Sequence, residues 1–157
     1  MRIARTSIGF IEVPSLCTFN IYTAGCSRHC EGCHNPELQD FDNPNATSIT
    51  IPFLVDKING IDELLDGVCW LGGEPTEQPD LVRFIRALKK AFPHKKQILY
   101  TGNQFEEVSP ELKEDLDVIV DGPWQGKPLK DPETNQRIWM KSSEWTTVSY
   151  EQFKSGA

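Results

Sequence analysis

The sequence predicts an α/β fold: a strongly curved parallel sheet, or part of a parallel barrel, with its helices outside. Two observations predict it. Short apolar runs alternate with amphipathic stretches from residue 16 to residue 120, and each apolar run gives way at once to cysteine, glycine, threonine or a carboxylate. The chain has 157 residues, enough for one enclosed core and too few for a complete eightfold barrel, which takes ~250. A single domain over 1–157 is therefore expected. No internal repeat divides it; loop-rich stretches fall at 34–50 and 122–136, and the section 122–157 as a whole reads as loop-rich.

Residues 16–23 set Cys17, Phe19 and Ile21 on one face, as alternate residues of a strand do. Cys17 and, further on, Cys69 read as small buried residues. The strand leads directly into a loop over 25–36 that holds Cys26, Cys30 and Cys33. Thr50 then opens a helix whose apolar residues Ile51, Leu54, Val55 and Ile58 follow the i, i+3, i+4, i+7 pattern, and Gly60 offers a left-handed stop. Residues 68–71 are short and wholly apolar, which suits a buried strand, and they end in Gly72-Gly73-Glu74-Pro75. A second helix over about 79–91 puts Leu81, Phe84, Ile85 and Leu88 on one stripe with Arg83, Arg86 and Lys89 outside. Pro93 ends it, and His94 is expected to cap its negative end. Strands at 97–100 and 117–120 follow, separated by the capped helix start Ser109-Pro110-Glu111.

Strand, helix, strand, helix, strand, helix, strand, joined by right-handed crossovers, makes a parallel sheet. All its strands then end on the same edge. That edge collects the cysteine loop, Gly72-Gly73-Glu74, Thr101-Gly102 and Asp121-Gly122, and it is where parallel α/β folds bind their ligands.

Composition removes several function classes. The formal charge is -7 and no dense basic cluster exists, so no nucleic-acid partner is expected. No stretch has the length of a membrane span and the first five residues lack the apolar core of a signal peptide, so no membrane association and a cytoplasmic location are expected. Five cysteines, three of them crowded into one loop, do not suit a disulfide framework and point to metal or redox use.

Cys26, Cys30 and Cys33 form a C-x3-C-x2-C motif. Structural zinc takes four protein ligands, and His34 offers a fourth; but such zinc normally staples folds that lack a core, and this chain has one. The run Cys30-Glu31-Gly32-Cys33-His34 also matches covalent haem attachment, which goes with an export route and usually a distal ligand, neither visible here. A redox dithiol of Cys30 and Cys33 leaves Cys26 and the downstream glycines without a purpose. Three thiolates around an iron–sulfur centre, with one metal position left for an exchangeable ligand, use all of them.

The C-x3-C-x2-C motif after the first predicted strand and Gly-Gly-Glu-Pro after the second resemble the radical S-adenosylmethionine (SAM) superfamily. Thr23-Ala24-Gly25-Cys26, the run from Cys30 to Pro36, Leu99-Tyr100-Thr101-Gly102, the run from Val118 to Pro123 and Asn135-Gln136-Arg137 narrow the resemblance. Over about residues 8 to 140 the chain is similar to the activating components of anaerobic (class III) ribonucleoside-triphosphate reductases. The resemblance implies a partial (β/α) radical-SAM barrel and a [4Fe-4S] cluster on Cys26, Cys30 and Cys33, with SAM on the remaining iron. It further implies cofactor contacts from Gly72, Gly73 and Glu74, from Thr101 and Gly102 toward the ribose or adenine, and from Asp121 on the same edge. The implied activity is a radical oxidoreductase: an external electron donor reduces the cluster, SAM is split, and a glycine of the reductase loses a Cα hydrogen. A radical needs no side-chain acid or base, so no catalytic residue is assigned, and His29 and His34 are expected to be exposed. Trp124, Trp139 and Trp145 are expected to pack against the open side, with docking of the reductase as the alternative. Activation of another glycyl-radical enzyme, such as pyruvate formate-lyase, and a non-enzymatic metal or electron-transfer module stay open as alternatives, as does association into a homodimer.

Overall fold

Four parallel strands form the centre of the sheet, and they are the four the apolar runs predict. The structure is a computed structural model and describes residues 1–156; Ala157, the last residue of the expected domain and of its loop-rich end, lies outside the described residues. In chain order the elements are β1 (Arg2–Gly9), β2 (Thr18–Thr23), β3 (Thr47–Ser48), α1 (Ile51–Asn59), β4 (Gly67–Gly72), α2 (Leu81–Ala91) and β5 (Lys96–Tyr100). They continue with α3 (Pro110–Asp115), β6 (Val118–Asp121), β7 (Arg137–Lys141), β8 (Trp145–Val148) and α4 (Tyr150–Gly156). The strands lie side by side in the order β3-β1-β2-β4-β5-β6-β7-β8. β2, β4, β5 and β6 run parallel, while β1 and β3 on one flank and β7 and β8 on the other are antiparallel.

Along the parallel strands the order never reverses, so right-handed crossovers must lay α1, α2 and α3 on one face. Their apolar stripes do meet there. Leu54 and Ile58 of α1, Leu81, Phe84, Ile85 and Leu88 of α2 and Leu112 of α3 pack on Phe19, Ile21, Val68, Trp70, Leu99 and Ile119 of the strands. Each such side chain contributes roughly 1.5–3 kcal/mol when fully buried. The opposite face carries a smaller core of Cys69, Ile98, Val118 and Val120, closed by Val13 and by Phe153 of α4. The layer of three helices on one face of the parallel strands bears out the α/β class with a partial β/α arrangement.

Local signals account for the helix starts. Thr50 and Ser109 accept the Phe53 and Leu112 backbone N–H groups at 3.3 Å, with proline in the first turn of both helices. Four expectations are corrected. Gly60 stays right-handed at φ -65° because the chain turns on directly into 61–64. His94 is exposed beyond the helix, and the Phe92 N–H closes α2 on Leu88. Cys17 is only partly buried, since β2 opens at Thr18 while Cys17 exchanges hydrogen bonds with Asp66. The section 122–157 is loop-rich only as far as residue 136; beyond it β7, β8 and α4 form a hairpin and a helix.

The face opposite α1, α2 and α3 is strapped by residues 10–17. The Glu12 carboxylate accepts from the Tyr22 hydroxyl at 2.5 Å and the Asn20 amide at 2.9 Å, and the Glu12 carbonyl accepts from the Tyr100 hydroxyl. Burial, then the hydrogen bond to Glu12, pushes Tyr22 up to about 12. The folded chain therefore holds this proton more tightly than the unfolded chain, whose tyrosines titrate near 10. Stability from this group is full below about pH 10 and is lost as pH rises toward 12. Denaturant midpoints of Tyr22→Phe, measured across that window, should fall less than those of the parent; Tyr100, also pushed up by burial, leaves a residual decline.

Candidate functional site

Strand register brings the predicted loops to one edge. Thr23 lies beside Gly72 and Tyr100 beside Val120, so the chain leaves β2, β4, β5 and β6 at one level. The cysteine loop and the Gly72-Gly73-Glu74 loop are laced together by backbone. The Gly73 N–H donates to the Thr23 carbonyl at 2.9 Å, the Glu74 N–H to the Gly25 carbonyl at 2.8 Å, and the Gly25 N–H to the Leu38 carbonyl at 2.8 Å. A Cβ on Gly73 would stand 2.6 Å from the Leu38 carbonyl oxygen, and one on Gly72, at φ +117°, 2.6 Å from that of Thr23. Both positions therefore require glycine. The close approach they permit is to the backbone that carries the thiols.

Cys26, Cys30 and Cys33 are all half-buried and free. The loop doubles back through left-handed His29 and Gly32, and the Cys33 N–H bonds the Cys30 carbonyl at 3.2 Å. Residues that the spacing did not point to hold it in place. Glu77 accepts from the Ser27 N–H at 3.1 Å and hydroxyl at 2.6 Å, Gln78 donates to the Ala24 carbonyl at 2.7 Å, and Arg5 donates to Asn35 at 2.9 Å. Burial, with added push from the Glu74 and Glu77 carboxylates, raises the Cys26 thiol above its ordinary range, so metal binding there must displace a proton.

Glu74, Thr101 and Gly102 are brought together. The Glu74 carboxylate is 2 % exposed and takes the Thr101 hydroxyl at 2.7 Å and the Gly102 N–H at 2.8 Å on one oxygen. Burial pushes this carboxyl above the usual range, against the pull of those two donors. Asp121 stands at the same edge but outside that group. Fully buried, it accepts from Arg137 at 2.5 Å, the Phe105 N–H at 2.7 Å and the Trp139 indole at 3.3 Å. Trp139 stacks on Phe105 with ring centres 4.0 Å apart, and Trp145 meets Phe105 edge-on at 5.6 Å. These two tryptophans pack, as expected. A cavity of about 400 Å³ opens beside Thr76 and Asn103, between the segments 76–82 and 107–112, and none of the predicted site residues lines it.

Both loop histidines are exposed, as expected, and both are engaged by neighbours: His34 lies against Trp124 at 4.2 Å between ring centres, and His29 bonds Gln39 at 2.8 Å. Among the described residues no three His, Cys, Asp or Glu side chains converge closely enough to hold a single ion. Zinc needs four donors on one point, whereas a four-iron cluster takes each thiolate on a separate iron. Three half-buried thiols from one loop suit such a cluster.

An α/β sheet with three free thiols in one loop at its strand ends has a donor set that suits an iron–sulfur centre. Comparison with known proteins agrees: residues 17–148 match the family described as a 4Fe-4S single cluster domain, and the chain belongs to that family. Across 139 residues it is 28% identical to the anaerobic ribonucleoside-triphosphate reductase-activating protein of Enterobacteria phage T4, covering 83% of this chain and 87% of that one. Across 93 residues it is 31% identical to the pyruvate formate-lyase-activating enzyme of Staphylococcus aureus (strain USA300), covering 56% of this chain and 36% of that enzyme. The resemblance to activating proteins read from the motifs is borne out. No helix among the described residues is long and apolar enough to cross a membrane.

Proposed function

We propose that this chain is a cytosolic activase of anaerobic ribonucleoside-triphosphate reductase, working by reductive cleavage of SAM at a [4Fe-4S] cluster on Cys26, Cys30 and Cys33. The observation that carries the reading is the lacing of a three-thiol loop against Gly72-Gly73-Glu74 at the edge that also presents Thr101 and Gly102. When bound, the cluster supplies one electron and SAM the carbon-centred radical that removes a hydrogen atom from a glycine of the partner. The chain's own residues supply placement. Gly72 and Gly73 keep the cysteine loop close to the strand ends; Glu74 fixes Thr101 and Gly102 where a ribose or adenine would meet them; Trp124 covers one side of the loop by packing on His34. Asp121, committed to Arg137, is a positioning residue that holds the end of β6.

Coverage supports the reductase as the partner. The alignment with the phage reductase activator takes in 87% of that protein, against 36% of the pyruvate formate-lyase activase. An external donor must supply the electron. The test is anaerobic incubation of the reduced, cluster-loaded protein with SAM and the reductase. The reading expects 5′-deoxyadenosine and a glycyl electron-spin-resonance doublet on the reductase. A doublet on pyruvate formate-lyase alone would move the partner, and none on either would overturn the reading.

A further inference from the structure

Arg28 sits midway between Cys26 and Cys30, and its side chain leaves the cysteine loop to cross onto the end of β5. Its guanidinium donates to the Asn103 side-chain carbonyl, and its Nε lies 3.7 Å from Glu74 Oε1. Between those two anchors it passes over Gly102. A Cβ there would come within 2.5 Å of Arg28 Cδ, so the missing side chain is the space the arginine occupies. Asn103 is itself held, donating to the Thr76 hydroxyl at 2.9 Å. Among the described residues Arg28 is the one cation paired with Glu74, whose carboxylate is buried beside the loop. A buried carboxylate without a compensating cation is costly, so the pairing favours the course of the loop that lets Arg28 arrive.

We propose that Arg28 is a positioning residue: it pairs with Glu74, latches the arc from Cys26 to Cys30 onto the ends of β4 and β5, and takes the space that the missing side chain of Gly102 leaves. The arginine fork matters as well as its charge, since one planar group serves Asn103 and Glu74 together. Metal-site partners one shell out typically change metal retention by 10–100-fold.

The latch rests on the cluster reading for only one of its two measurements. In the first, the full-length protein is loaded with iron and sulfide under anaerobic conditions and cluster loss to a chelator is timed. Arg28→Ala should lose its cluster about tenfold faster, and Arg28→Lys should recover part of the difference. Gly102→Ala should match Arg28→Ala, because its methyl displaces a flexible side chain and no backbone. The double variant Arg28→Ala/Gly102→Ala should be no worse than either single one, since both remove the same contact. In the second, amide hydrogen exchange over residues 26–33 is followed in the metal-free protein, where both single variants should exchange faster. Multiplying effects in the double variant, or unchanged behaviour of Arg28→Ala in both measurements, would overturn the latch. If the parent protein takes up no iron, the cluster reading fails, and the hydrogen-exchange comparison still decides whether Arg28 holds the loop. Gly102→Ala keeps that comparison available should Arg28→Ala fail to fold.

Discussion

Replacing Cys26, Cys30 or Cys33 with alanine is expected to reduce bound iron from about four per chain to a small fraction, with loss of SAM cleavage. The check is iron and acid-labile sulfide after anaerobic reconstitution. Each thiolate would hold its own iron, so the loss of one would expose a second metal position and the cluster should not persist. Cys69→Ser and Cys17→Ser should keep the full complement. Cys69 is fully buried in β4, and burial pushes its thiol well above the ordinary range, which removes the thiolate that iron requires. Cys17 lies at the far end of β2 from the cysteine loop, tied to Asp66. His34→Ala should also retain iron, since its ring is engaged by Trp124. Loss of metal in His34→Ala with zinc as the bound ion would restore the four-ligand reading.

The second large effect is one of stability. Arg137→Met should destabilise the fold by about 3 kcal/mol, because it leaves the Asp121 carboxylate buried with no cation beside it. That figure sits at the low end for such a break, as the Arg137 side chain is 36 % exposed and the pair is partly screened. For a domain of this size the melting temperature should drop by roughly 6–12 °C. Chemical denaturation should show a lower midpoint with an unchanged slope. Adding Asp121→Leu to Arg137→Met should recover part of the loss, since the unpaired charge goes with it. No recovery would mean that the Phe105 and Trp139 hydrogen bonds to Asp121 carry more of the energy than the ion pair.

How far each feature was legible follows from its range along the chain. The parallel centre was legible because its strands are buried on both faces and read as apolar runs bounded by caps at Thr50 and Ser109. β1 was not, because on its helix-facing side only Ile3 is buried and pairing with β2 decides its state. β7 and β8 are short flanking strands of mixed polarity, held by the neighbour rather than by a pattern of their own. The three cysteines stood out because they crowd into one short loop. Arg28 was not: its partners Glu74 and Asn103 lie on other loops, and nothing local distinguishes it from a solvated arginine. Gly72, Gly73 and Gly102 were singled out as cofactor contacts; the structure adds that Gly72 and Gly73 lie against this chain's own backbone and Gly102 against the Arg28 side chain. Asp121 was placed on the correct edge, while its commitment to Arg137 depended on a strand the sequence did not reveal.

The central claim is that three thiols hold a cluster with one iron left for SAM. It is tested most directly by the electron-spin-resonance spectrum of the reduced, reconstituted protein before and after SAM is added without oxygen. A cluster signal that changes on addition of SAM, because the fourth iron has gained a ligand, is the predicted result. A cluster signal that is superimposable with and without saturating SAM would contradict it.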